Sequence, residues 1–210
     1  TTFKKPKLCV NVRLYSPLFN DEALSVSLTD LVIMILNDEL SDSTYAFAEA
    51  AMSFHTGYHG FNTVEFSFSG FNEKLHLLME TVFEKFQNLT ITKEKYETQL
   101  ELYERIIVSM GKFQPYRHCD MTDTLFLCPK EVSLAQLEAA CEKITYEGAV
   151  KQYQRMFEKL YIEALIYGNV DSKNTIQPYY KLIDKYLIQS MKNKYALSEL
   201  EADKQGCLKS

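Results

Sequence analysis

Between Met52 and Phe86 the spacing of apolar positions changes from a period of two to a helical period. Val64, Phe66 and Phe68 alternate with Thr63, Glu65, Ser67 and Ser69, the pattern of a strand with one buried face. Met52 to Tyr58 supplies a partner strand, and His59-Gly60 lies near the reversal, so a β-hairpin is expected. Gly70 is expected to stop the strand and Asn72 to cap the helix that follows. In that helix Leu75, Leu78, Met79, Val82, Phe83 and Phe86 fall on one stripe. A hairpin with one apolar face and a helix with one apolar stripe cover each other. The rest of the chain extends that layer.

Leu8, Val10, Val12 and Leu14 alternate with Cys9, Asn11, Arg13 and Tyr15, giving a first strand that Pro17 ends. Glu22 to Leu36 is apolar nearly all round and reads as a buried helix. Asp42 or Ser43 is then expected to cap a separate short helix through Tyr45–Ala51. Thr92 caps a long helix with Tyr96, Leu100, Tyr103, Ile107 and Met110 inward, which Gly111 and Pro115 end. Ser133 and Gln136 have capping-box spacing, with Leu134, Leu137, Cys141 and Ile144 inward. A further helix is expected over Glu147–Lys159. Leu160, Ile162, Ala164 and Ile166 then alternate in a last strand, and a final helix runs from Asp171 or Ser172 to about Gln189. A hairpin and two more strands, with helices gathered between them, define an α+β fold of two layers, a mostly antiparallel sheet against helices. Residues 1–189 form the domain; the polar segment 190–210 reads as a connector.

The 210 residues carry a net charge of -5, which argues against nucleic acid as a partner, and no apolar run reaches the ~20 residues that span a bilayer. Five cysteines without a C-x-x-C pair read as reduced thiols, consistent with a cytoplasmic compartment.

Candidate chemistry is sparse. His55 and His59 are four apart, but Gly57 and Gly60 argue against a helix, and on a strand that spacing is about 13 Å, too far to share one ion. His118, Cys119 and Asp120 are adjacent and diverge on a helix. Glu94, Glu97, Glu101 and Glu104 follow the polar side of the long helix, and Asp21-Glu22 and Asp38-Glu39 read as solvated pairs. Tyr116, Tyr179 and Tyr180 could line a pocket, but at helical spacing they read as packing. The seven scattered glycines form neither G-x-G-x-x-G nor a phosphate loop. No catalytic, cofactor-binding or metal residue is assigned.

Several short signatures occur in a fixed order. They are Phe3-x-x-Pro6-Lys7, Tyr15-Ser16-Pro17, Tyr45-Ala46 with Glu49-Ala50-Ala51, Ser69-Gly70-Phe71-Asn72-Glu73-Lys74-Leu75, Gln114-Pro115-Tyr116, and Ile162-Glu163-Ala164-Leu165 with Gly168-Asn169. In this register, from Phe3 to Gln189, the chain resembles the insulinase family of zinc metallopeptidases. The resemblance is to the third, non-catalytic domain of that family. It implies a parent built of four related domains in two bowl-shaped halves around a peptide chamber, with this segment opening the C-terminal half. It also implies zinc on an H-x-x-E-H helix of the first domain, where the two His bind metal and the Glu activates water. The corresponding helix here, EALSVSLTDLVIMIL, has neither histidine nor central glutamate, so no metal ligand carries over. The expected partners are other domains of the same polypeptide and peptide substrates. The alternative is an inactive interaction or core subunit of a larger complex.

Overall fold

The computed structural model describes residues 6–19, 22–58, 63–127, 131–169 and 176–201. The first strand, β1 (Lys7–Tyr15), is central. It pairs antiparallel on one side with β3 (Thr63–Phe71) and on the other with β4 (Lys159–Gly168). β2 (Ser53–Tyr58) completes the hairpin with β3, and β5 (Asn193–Lys194) adds two parallel residues beside the start of β4. The order among the described residues is β2-β3-β1-β4-β5, the mostly antiparallel sheet of an α+β fold.

Helices cover one face. The long α1 (Ala23–Glu49) packs on β2, and α2 (Leu75–Gln87) on β3. All six apolar residues of the α2 stripe are buried. Phe83 meets Phe66 and Phe68 edge to face, with centroids 5.7 and 5.6 Å apart. Phe86 reaches Phe66 at 5.0 Å and Phe157 at 4.9 Å. Burying such side chains contributes about 1.5–3 kcal/mol each. The remaining helices are α3 (Lys93–Met110), α4 (Pro115–Leu127), α5 (Leu134–Cys141), α6 (Tyr146–Arg155) and α7 (Ile176–Ile183). A π-helical turn, Asp184–Ile188, extends α7.

The structure corrects four expectations. The two helices expected at residues 22–51 are one helix of 27 residues, about 40 Å long. Asn37–Asp42 is polar but holds neither Gly nor Pro, and Leu40 continues the buried stripe from Leu36. Ser41 and Thr44 donate back to the carbonyls of Asp38 and Leu40, so no hydroxyl is diverted to a new cap. Gly70 does not end its strand: β3 runs to Phe71, and Gly70 pairs with Leu8. It is glycine because a Cβ there would lie 2.5 Å from Met52 Cγ and 3.1 Å from Met52 Cα. Asn72 does not cap α2; that position falls to Lys74, with no side-chain bond. The helix expected to end at Lys159 stops at Arg155, and Lys159 already belongs to β4.

On β4 only Leu160 is buried, while Ile162 and Ile166 are half-buried and Ala164 is exposed. The helices are centred under β2 and β3, and β5 shields only the first two residues of β4. Two expected caps are formed. The Thr92 hydroxyl accepts from Lys95 N, and the reciprocal Ser133–Gln136 box is formed. The caps proposed at Asp171 or Ser172 lie outside the described residues.

The segment from Ser190 docks on the sheet over its described part. Asn193 and Lys194 pair with Lys159 and Leu160, and Tyr195 and Leu200 are buried beside Tyr15 and Tyr161.

Candidate functional site: the open face of the sheet

The face of the sheet opposite α1 and α2 is built from the odd-numbered residues of its long strands. Cross-strand register arranges them in rows. One row holds Ser53, Ser69, Cys9 and Tyr167; the next His55, Ser67, Asn11 and Leu165; the next Gly57, Glu65, Arg13 and Glu163. Because side chains alternate along a strand, the run that buries Val10, Val12, Phe66 and Phe68 must deliver these polar partners to the other side.

Hydrogen bonds knit the rows. Arg13 Nε donates to Glu65 Oε2 at 2.5 Å in a cross-strand ion pair. The Tyr15 hydroxyl donates to Glu163 Oε2 at 3.0 Å. Burial, with this carboxylate second, raises the Tyr15 pKa. Ser67 donates to Asn11 Oδ1 at 2.9 Å, and the Ser53 and Ser69 hydroxyls are 2.7 Å apart. At the rim Leu165 and Tyr167 are exposed, and Lys7 lies over the Phe71 ring at 6.0 Å. The arrangement is a wall of hydrogen-bonding groups edged with apolar side chains. It can contact a polypeptide, and its Ser67 hydroxyl lies within 3.3 Å of Glu65 Oε1 as well as bonding Asn11.

The residues singled out in the sequence do not converge. His55 is exposed on the open face, and His59 lies outside the described residues. His118, Cys119 and Asp120 sit on α4, where the carbonyls of His118 and Asp120 accept from Thr122 and Thr124. Glu94, Glu97, Glu101 and Glu104 are exposed along α3, with Glu97 facing Lys93 and Glu101 facing Arg105. Glu39 binds Lys85 and Lys95 where α1 meets α2 and α3. Tyr179 is buried and donates to the Asn72 carbonyl at 3.3 Å, and burial pushes its pKa up to about 12. Tyr116 and Tyr180 are exposed on different helices. Among the described residues no three His, Cys, Asp or Glu side chains gather as metal ligands, and no helix is long and apolar enough to cross a membrane. Among the described residues no zinc ligand set forms, and α1 offers no histidine along its length.

Sequence reading missed Arg13, Glu65 and Glu163, since only the β1–β3 and β1–β4 registers set them side by side. It also passed over Asp30, the one charged residue within Ala23–Leu36 of the helix read as apolar nearly all round.

Fold and face define a two-layer α+β domain with one helix-covered and one open side. The family described as the middle or third domain of peptidase M16 matches residues 1–140, and the chain belongs to that family. It is 25% identical over 168 residues to insulin-degrading enzyme of Drosophila melanogaster, covering 80% of this chain and 17% of that protein. It is 26% identical over 171 residues to the human insulin-degrading enzyme, covering 80% of this chain and 16% of that protein. The chain thus spans about a sixth of these relatives. The crystal structure of pitrilysin superposes with a TM-score of 0.77 at 17% identity, covering 87% of this chain and 19% of that one, a likeness of fold.

Proposed function

We propose that this chain is a non-catalytic domain of an insulinase-like zinc metalloendopeptidase, forming part of the C-terminal half of its substrate chamber. The observation that carries this reading is the open sheet face. Its rows of Ser, Asn, Arg, Glu and Tyr side chains offer hydrogen bonds to a passing polypeptide. In this reading the zinc and its activated water belong to another domain of the same polypeptide. Residues 1–189 form the domain, and 190–210 are a connector anchored on the sheet by Tyr195 and Leu200. The parent degrades peptides in the cytoplasm. Confinement serves such chemistry because alignment of the scissile bond is worth orders of magnitude in rate, with ~10²-fold lost for a displacement of about 1 Å.

A photo-crosslinking amino acid placed in the full-length protein tests the reading. At Asn11, on the open face, it should capture a bound substrate peptide; at Thr98, on the exposed side of α3, it should not. Equal capture from both positions, or capture from Thr98 alone, overturns the chamber role.

A further inference from the structure

β4 is the margin of the sheet over most of its length. β5 pairs only with Lys159 and Leu160, and Tyr195 N donates to the Leu160 carbonyl at 2.8 Å. Along a strand the N–H and C=O of alternate residues point to the same side. The Leu160 carbonyl therefore fixes Ile162, Ala164 and Ile166 as the residues whose backbone groups face outward. Asn169, of the opposite parity, donates inward to the Lys7 carbonyl of β1 at 3.0 Å. Among the described residues no strand pairs with Ile162, Ala164 or Ile166 on that outer side.

The sequence of this edge does nothing to discourage pairing. Residues 161–167 include no Pro, Lys or Arg, the types that commonly blunt an edge strand. Apolar side chains flank it on both faces. Leu165 and Tyr167 are 58% and 51% exposed on the open face, and Ala164 is exposed on the other, between half-buried Ile162 and Ile166. A strand added here covers all five.

The open face also selects a charge. One cross-strand row runs Glu65, Arg13, Glu163 from β3 through β1 to β4, so its signs alternate minus, plus, minus. Arg13 is bonded to Glu65 at 2.5 Å. Glu163 Oε2 accepts from the Tyr15 hydroxyl at 3.0 Å, and among the described residues no Lys or Arg pairs with Glu163. Directly opposite residues on neighbouring strands attract when their charges differ and repel when they match. The next place in the row therefore suits a cation.

We propose that the outer edge of β4 binds an extended stretch of substrate peptide as an added strand. A Lys or Arg of the peptide stands opposite Glu163, and an apolar residue two positions away stands opposite Leu165. The inference rests on the chamber reading above and adds the class of segment that the domain selects. Backbone bonds to Ile162, Ala164 and Ile166 give affinity for any extended chain, and the side-chain positions give preference.

The test uses the full-length protein in EDTA, so that nothing is cut, and two fluorescein-labelled peptides, Thr-Lys-Thr-Leu-Thr-Leu-Thr and Thr-Glu-Thr-Leu-Thr-Leu-Thr. The unmodified protein should bind the lysine peptide more tightly. Glu163→Gln should weaken that binding by about two- to fivefold, the worth of one cross-strand ion pair. Glu163→Lys should reverse the preference in favour of the glutamate peptide. Hydrogen exchange in the unmodified protein needs no variant to fold: the amides of Ile162, Ala164 and Ile166 should exchange freely alone and slow when the lysine peptide binds. Equal binding of the two peptides by the unmodified protein, or a preference unchanged in Glu163→Lys, overturns the inference. So do amides already protected without peptide, which would mean that another part of the polypeptide occupies the edge. Crosslinking from Asn11 is unaffected by any of these results and continues to report on the chamber reading by itself.

Discussion

Two helices of equal length divide the molecule. α2 and α4 each have 13 residues; α2 buries six and α4 none. Both sequences are rich in apolar residues, so content does not separate them. Arrangement does. The α2 residues recur at three and four and make one stripe opposite the Phe66 and Phe68 rings, whereas in α4 Tyr116, Phe126 and Leu127 cluster near the two ends and all three are exposed. A helix is held by the stripe it presents to a partner. Pro115 opening α4, and hydroxyl bonds from Thr122 and Thr124 to the preceding turn, support it only locally.

The contrast is sharpest at Phe83, fully buried between Phe66 and Phe68. Phe83→Ala should destabilise the chain by about 3–5 kcal/mol, from lost transfer free energy and the cavity left behind. Urea unfolding measures this. A loss near that of an ordinary surface change would mean that the α2 stripe does not organise the core.

A smaller loss is expected beside the start of the same helix. Gly70 sits in β3 against Met52, and a side chain there meets Met52 backbone as well as its flexible end. Gly70→Val should cost on the order of 1–3 kcal/mol through overpacking. If a thermal melt shows no change, Met52 moves freely, and this margin of the packed side is as loose as α4.

The same contrast explains what could be read from the chain. The stripe of α2, the alternation of β1 and β3, the Thr92 cap and the Ser133–Gln136 box all depend on residues within one or two turns, and the structure holds them as expected. The break near Asn37 was misread because a polar stretch resembles a turn unless one knows that Leu40 reaches the core. Gly70 was misread for a similar reason: glycine marks both chain reversal and close approach, and the approaching Met52 lies on another strand's flank. On β4 alternation shows which residues share a face, not whether anything covers it, and only Leu160 is buried there. For the open face, periodicity located the polar positions, but only pairing across strands joins Arg13 to Glu65 and Tyr15 to Glu163.

The smallest expected effect is at the far end of α4. Phe126 is 82% exposed, and it makes no aromatic or cation–π contact among those found in the described residues. In the folded chain its ring gains almost nothing over its solvation when unfolded, so transfer free energy does not oppose its replacement. Phe126→Ser should therefore change stability by no more than about 0.5 kcal/mol. Its helix propensity is close to that of phenylalanine, so a loss cannot arise from propensity either. The measurement is a denaturant midpoint at unchanged slope, because a changed slope would report a different unfolded surface instead. A loss of several kcal/mol would show that α4 packs in solution as α2 does, and the division between a packed and an unsupported helix would fail.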